Sequence, residues 1–285
     1  IGAFDHIFRS AMLSKLRTLP TAHRIIPYVM ASYGEDSTFI WGDEQGQTHF
    51  INQGEGGEQG DALMPALFCL GLHDSLARAQ ARFNDNDNIV AYLNDIYIIS
   101  HPLRARMAYD IVVSEIEAGT GIRPNLGKTE CWGATSGDAP PGIPDLDTPA
   151  PAPPVWKGNL PVDQCGILIL GSPIGTEAFV KRELDKKLHE EVEFLDRIAL
   201  IPNIQVSCLL MYYCGSPRAT YLLRTTPPTL CQDYAKKRDA MIRKKLAKIL
   251  NLTETSLDRK AGQIHLPGRL GGLGLNSSKR SSWHW

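Results

Sequence analysis

The sequence predicts an α/β chain of the α+β kind, with antiparallel strands backed by helices and then a mainly helical region. Three observations predict it. Aromatic and β-branched runs come in neighbouring pairs split by short polar or glycine tips, as in Ser37–Gln53 and Ile89–Ile99, which is the signature of antiparallel hairpins. Between the pairs lie helix-length stretches with apolar residues on one face. From Phe179 to about Leu250 the pattern is helical almost throughout.

The elements follow in order. DHIFRSAMLSKLRTL, residues 5–19, reads as an amphipathic helix stopped by Pro20. Two short strands follow in Ser37–Gln53 around a glycine-containing turn. A glycine-rich loop, GEGGEQGD, then enters a long helix that runs to about Phe83 with Leu67, Leu70, Leu72 and Leu76. Ile89–Leu93 and Ile96–Ile99 read as a hairpin tipped by Asn94-Asp95, a pair that tolerates a tight turn. A helix from about Pro102 to Gly119 comes next. Prolines crowd residues 137–161 and mark an extended surface linker or insertion. GILILGSPIG reads as strand and turn, and the helices beyond it break near Gly215-Ser216-Pro217 and at Pro227-Pro228. These divisions predict segments 1–135, 136–161 and 162–285.

Composition narrows the class. With 285 residues, 43% hydrophobic and 21% charged, the chain is long enough for two domains and ordinary for a globular protein. No apolar run approaches about 18 residues, so no membrane partner is expected. The chain does not begin with Met and shows no signal peptide, so it reads as a fragment or a processed segment. Six cysteines are scattered without a CxxC pair, which predicts reduced, mostly buried thiols, no zinc site and an intracellular setting, nuclear or cytoplasmic. The net charge of −1 conceals an asymmetry. Residues 1–162 hold 11 basic and 19 acidic residues, net −8, and residues 163–285 hold 19 and 12, net +7. The densest positive stretch is AKKRDAMIRKKLAK, Ala235–Lys248. On a helix, Lys237, Lys244, Lys245 and Lys248 share one side, and Ile242, Leu246 and Ile249 another. Together with Lys236 and Arg243 they read either as a solvated helix face or as a track for polyphosphate.

The order of the motifs is more specific than any one of them. Ile1-Gly-Ala-Phe-Asp5, Gln59-Gly-Asp-Ala-Leu-Met-Pro-Ala-Leu-Phe68, Tyr92-Leu-Asn-Asp95, Gly121-Ile-Arg-Pro-Asn-Leu-Gly-Lys-Thr129, Leu168-Ile-Leu-Gly171 and Leu266–Leu275 succeed one another. In that order they resemble the palm of reverse transcriptases, particularly of non-LTR retrotransposons. Tyr92–Asp95 stands where that family has its YxDD box. The resemblance implies a polymerase palm, an antiparallel sheet backed by helices, followed by a helical thumb-like region. It also implies RNA-directed DNA polymerase activity with RNA template, DNA primer and deoxynucleotides as partners. Such transfer uses two Mg²⁺ ions held by carboxylates.

Residue by residue, the resemblance makes Asp95 a metal ligand and Asn94 its neighbour in the box. It places Lys128 beside the leaving pyrophosphate, Gln59 and Gly60 under the incoming nucleotide, and Phe4 at the gate that rejects a 2′-hydroxyl. Phe4 also reads as an ordinary core residue, and Gln59-Gly60 as a helix-entry loop. Two departures stand out. The first-motif aspartate would lie two residues before Ile1, outside this sequence, and Asp5 instead starts the following helix. Asn94 replaces the first aspartate of the box, so an uncharged amide stands where a carboxylate is needed. Ala62 also replaces the family's proline. The expectation is therefore a reverse-transcriptase-like chain impaired in catalysis, or a retroelement remnant that binds nucleic acid without catalysis.

Overall fold

A computed structural model describes residues 2–58, 60–134, 137–149 and 152–281. The chain is α+β and forms two compact units, Ile1–Thr129 with Ala139–Trp156, and Glu130–Asp138 with Lys157–Trp285.

The first unit is built on two packed helices, α3 (Met64–Ala81) and α4 (Ala105–Thr120). Helix α3 buries Met64, Leu67, Phe68, Leu72 and Ala79, one apolar stripe at helical spacing. Helix α4 buries Ala108, Val112 and Ile116 on every fourth residue and stops at Gly121, whose φ of 72° suits only glycine well. The two helices approach closely at Gly119, where a Cβ would lie 2.2 Å from the Ser75 hydroxyl. Helix α1 (Arg9–Arg17) packs Met12, Leu13 and Leu16 into the same core, and α2 (Ile26–Tyr33) adds Val29 and Tyr33.

Helix α1 is shorter than the sequence predicts. Asp5 does not start it but sits in a preceding 3₁₀ turn, Ala3–Asp5, where its carboxylate accepts the Gly2 N–H at 3.2 Å. The helix N-terminus is instead served by Glu55, whose Oε2 accepts the Arg9 N–H at 2.7 Å. Helix α2 has no counterpart in the sequence reading, because Pro27 masked it. It is the proline-at-first-turn case.

Strands β1 (Ser37–Gly42) and β2 (Thr48–Gln53) form one hairpin, β3 (Asn88–Tyr92) and β4 (Asp95–Ile99) a second. In the second unit β5 (Gly166–Ile169) and β6 (Ser172–Gly175) form a third, closed by Leu170 (φ 49°) and Gly171 (φ 82°) as a turn with both central residues left-handed. Each ladder has two strands, and none of the described strands joins the hairpins into a wider sheet. The single antiparallel sheet implied by the resemblance is not present among the described residues.

Most of the proline-rich stretch, expected as a linker or insertion, packs into a compact unit. Residues 139–156 belong to the first unit, with Ile143, Leu146, Val155 and Trp156 buried. Arg106 donates to the Gly142 carbonyl at 2.7 Å, and Asp147 Oδ1 accepts the Val155 N–H at 2.7 Å.

The second unit centres on α5 (Glu177–Ala199) and α8 (Pro228–Ile249), which pack side by side. Thr176 caps α5 by accepting the Phe179 N–H at 3.2 Å. Between them run α6 (Ile204–Leu210), a π turn at Met211–Gly215, a 3₁₀ turn at Ser216–Ala219 and α7 (Thr220–Thr225). The break expected at Gly215-Ser216-Pro217 is thus a change of helical winding rather than a gap. Arg238 lies buried among these elements. It donates to Glu191 at 2.6 Å, the Ser278 hydroxyl at 3.0 Å and the Gly215 carbonyl at 2.7 Å. No described helix is long and apolar enough to cross a membrane. All six cysteines are free, but only Cys165 and Cys231 are buried, so the thiols are less enclosed than expected.

Candidate nucleotide and nucleic-acid site

The β3–β4 hairpin differs from the sequence reading by one residue. Tyr92 pairs with Asp95, so the turn is Leu93-Asn94 and Asp95 is the first residue of β4. The left-handed residue is Leu93, φ 55°, and Asn94 is not among the residues with positive φ. Positive φ at the first turn position alone is the II′ pattern, which glycine normally fills. A leucine there is strained by about 1–2 kcal/mol. Asn94 and Asp95 are both exposed, and neither bonds to a described side chain. Ile89, Ile96 and Ile98 anchor the hairpin against the core that also takes Ala3 and Phe4. At its base Asp87 is buried and accepts a bidentate pair from Arg104 at 2.7 and 2.8 Å, plus the His101 N–H at 3.2 Å. The Arg104 hydrogen bonds hold the Asp87 carboxyl below the usual carboxylate range.

Phe4 stacks on Phe68, ring centroids 4.4 Å apart, and is partly buried. It therefore has a packing role whatever else it does. The glycine-rich loop is tied down beside it. Gly57 donates to the Phe4 carbonyl at 3.0 Å and Gly56 to the Ile7 carbonyl at 2.8 Å. Arg9, buried against the Tyr33 ring, donates to the Gly56 carbonyl at 2.9 Å and the Ser37 hydroxyl at 2.9 Å, and also to the Glu35 carbonyl. Tyr33 donates to Asp61 at 2.5 Å, while Asp61 Oδ1 accepts the Leu63 N–H at 2.8 Å and so leads into α3. Burial, with the Asp61 hydrogen bond, pushes the Tyr33 phenol up to about 12. Gln59 lies outside the described residues. Gly60 is exposed with φ 101°, a conformation open to glycine, and a Cβ there would meet nothing within 4 Å. Lys128 ends a 3₁₀ turn, Leu126–Lys128, exposed and unpaired among the described residues.

The structure thus gathers Phe4, Gly56 and Gly57 of the glycine-rich loop, and the β3–β4 hairpin around one core. Arg9, Glu55, Tyr33 and Asp61, which organise that loop, were not singled out by the sequence reading. The loop bonds they make span long sequence separations that no local pattern reveals. As a metal centre the hairpin tip falls short. Among the described residues no group of three His, Cys, Asp or Glu side chains could hold a metal ion. Asp95 offers one carboxylate and Asn94 none, so these residues do not fit a pair of Mg²⁺ ions.

The basic helix α8 is partly neutralised. Ile242, Leu246 and Ile249 are buried as its periodicity predicts. Lys237 pairs with Asp233 at 2.7 Å and Asp185 at 3.2 Å, and Lys245 pairs with Asp196. The Asp233 and Asp185 hydrogen bonds push the Lys237 ammonium up. Lys236, Lys244 and Lys248 remain exposed without an ion pair to a described residue, while Arg243 is half-buried. The expected track of six cations is reduced to a core of three.

Against models of known protein families and against curated proteins, the chain finds no match.

Proposed function

We propose that this chain is a reverse-transcriptase-like region that binds nucleic acid and does not, as this sequence stands, catalyse metal-dependent nucleotidyl transfer. The observation that carries the reading is the β3–β4 hairpin. It presents Asn94 in a two-residue turn, Leu93-Asn94, and Asp95 at the start of β4, on the core shared with Phe4. The motif order of the sequence supplies the family. Against catalysis stands the donor set. Mg²⁺ pairs require several charged oxygens, and the tip supplies one carboxylate beside an amide.

Primer extension with Mg²⁺ and deoxynucleotides tests the reading. The chain as given is expected to extend nothing. Asn94→Asp alone is expected to restore nothing, since one carboxylate is still short. A chain lengthened upstream to place Asp two residues before Ile1, and also carrying Asn94→Asp, is expected to regain incorporation. Incorporation by the unmodified chain would overturn the proposal. So would a folded, doubly restored protein that neither extends a primer nor binds one.

A further inference from the structure

We infer that the β1–β2 hairpin is a docking face for a cationic amphipathic segment of a partner protein. In the ladder register Ile40 stands directly opposite Phe50, and these two side chains are 71% and 69% exposed. Their face is otherwise small or uncharged: Thr38 bonds to Asn52 at 3.0 Å beside them, and Gly42 lies opposite Thr48. On the other face Phe39, Trp41 and Ile51 are also exposed, with Trp41 tilted against His49 at 5.1 Å. A two-stranded ladder with large apolar side chains on both faces lacks the third layer that normally stabilises it. Contiguous exposed apolar area of this kind marks an interaction surface.

Charge identifies the occupant. From Ile25 to Ala77 the chain contains no lysine or arginine, and it contains eight carboxylates. Asp36 precedes β1, while Asp43 and Glu44 form the turn. Asp36 and Glu44 are exposed and unpaired among the described residues. Asp43 accepts His49 Nε2 at 2.8 Å and the Gln45 and Gln47 N–H groups at 3.0 and 2.8 Å. Carboxylates therefore flank the apolar face, Asp43 and Glu44 at the turn and Asp36 at the open end, where the only cation among the described residues is the buried Arg9 guanidinium on the Ser37 hydroxyl. Such a frame repels nucleic acid and anionic lipid, and it repels a second copy of itself. It attracts a segment that alternates apolar residues with lysine or arginine. The hairpin's uncharged centre would take the apolar side chains, and its carboxylate ends the cations.

The test uses the full chain and two fluorescent peptides of alternating residues, one Lys/Leu and one Glu/Leu. Anisotropy is expected to show saturable binding of the Lys/Leu peptide and none of the Glu/Leu peptide. Ile40→Thr with Phe50→Thr keeps β-branched or strand-tolerant residues in the ladder and is expected to weaken binding at least about tenfold. Glu44→Lys, which leaves the apolar face intact, is expected to weaken it as well and to blunt its salt dependence. This second variant keeps the test valid should the double variant melt. Equal affinity for both peptides, or Lys/Leu binding unchanged by both variants, would overturn the inference. So would a dimer seen in sedimentation that the threonine variant dissolves, since the face would then belong to a second copy.

Discussion

Leu93 and Arg238 show two opposite uses of an unfavourable residue. Leu93 adopts φ 55° at the hairpin turn, a conformation that costs a branched L-residue about 1–2 kcal/mol. Glycine removes that penalty but loses more chain entropy on folding, so the two terms partly offset. Leu93→Gly is therefore expected to leave the melting temperature unchanged or raise it slightly, where a leucine-to-glycine change elsewhere would lower it. A clear fall in thermal denaturation would mean that the Leu93 side chain, not its backbone, matters. Arg238 is a buried cation whose ligands are complete. Glu191 takes its Nε, and the same carboxylate accepts the Tyr234 hydroxyl at 3.0 Å. Burial and the Glu191 charge push the Tyr234 phenol up. Removing one partner strands the other without water, so Glu191→Leu is expected to destabilise by roughly 3–5 kcal/mol. Replacing both, Glu191→Leu with Arg238→Met, is expected to cost less than the single change. Denaturant melts of the three variants measure the difference, and a double variant worse than Glu191→Leu would contradict it.

Elements inherit their stability from the groups at their ends. The β3–β4 hairpin is closed at its base by Asp87, which bridges the start of β3 to Arg104 beyond β4. Its carboxyl is held below the usual range, first by the Arg104 hydrogen bonds. A depressed carboxyl contributes stability that is complete above its unfolded value, about 3.9, and is lost as pH falls through the lower folded value. Hydrogen exchange of β3 and β4 amides is thus expected to accelerate below about pH 4. Asp87→Asn should show faster exchange already at neutral pH and a smaller acid step. Much at this scale was legible in the sequence. The β-branched and aromatic runs announced the first two hairpins and one strand with the turn of the third, and helical spacing announced α3, α4 and the buried Ile242, Leu246 and Ile249 stripe of α8. Illegible were features made by distant partners. Whether the turn was Leu93-Asn94 or Asn94-Asp95 depended on how Ile89, Ile96 and Ile98 meet the core. That Glu55 rather than Asp5 serves α1, and that Lys237 is occupied by Asp185, required the fold. The candidate site shows the same limit. Its tip was readable, but the Arg9 and Tyr33 bonds that hold the adjoining loop were not.

At the scale of the molecule, charge is divided along the chain. Residues 1–162 carry a net −8 and residues 163–285 a net +7, so the two proposed interactions fall on opposite signs, a cationic segment on β1–β2 and nucleic acid on α8. Formal charge overstates what α8 offers. A lysine already paired with two carboxylates releases few counterions when a phosphate arrives, because the phosphate must compete with ligands in place. Lys236, Lys244 and Lys248 carry no ion pair with described residues, whereas Lys237 has two and Lys245 one. If about three phosphates are neutralised, log K for a duplex should fall with log salt at a slope near −2.7. The six cations read from the sequence would double that slope. Lys244→Glu with Lys248→Glu should abolish most of the binding and flatten the slope. Lys237→Glu should change both far less, since it replaces a cation that faces Asp233 and Asp185, although it places three carboxylates together and is expected to lower the melting temperature slightly. Sequence should matter little, because phosphate contacts carry no base information. Titrating a labelled primer–template duplex at several salt concentrations reads all of these at once. Equal losses from the paired and unpaired lysines, or a slope of zero, would show that α8 is a solvated face and that nucleic acid, if bound, is held elsewhere.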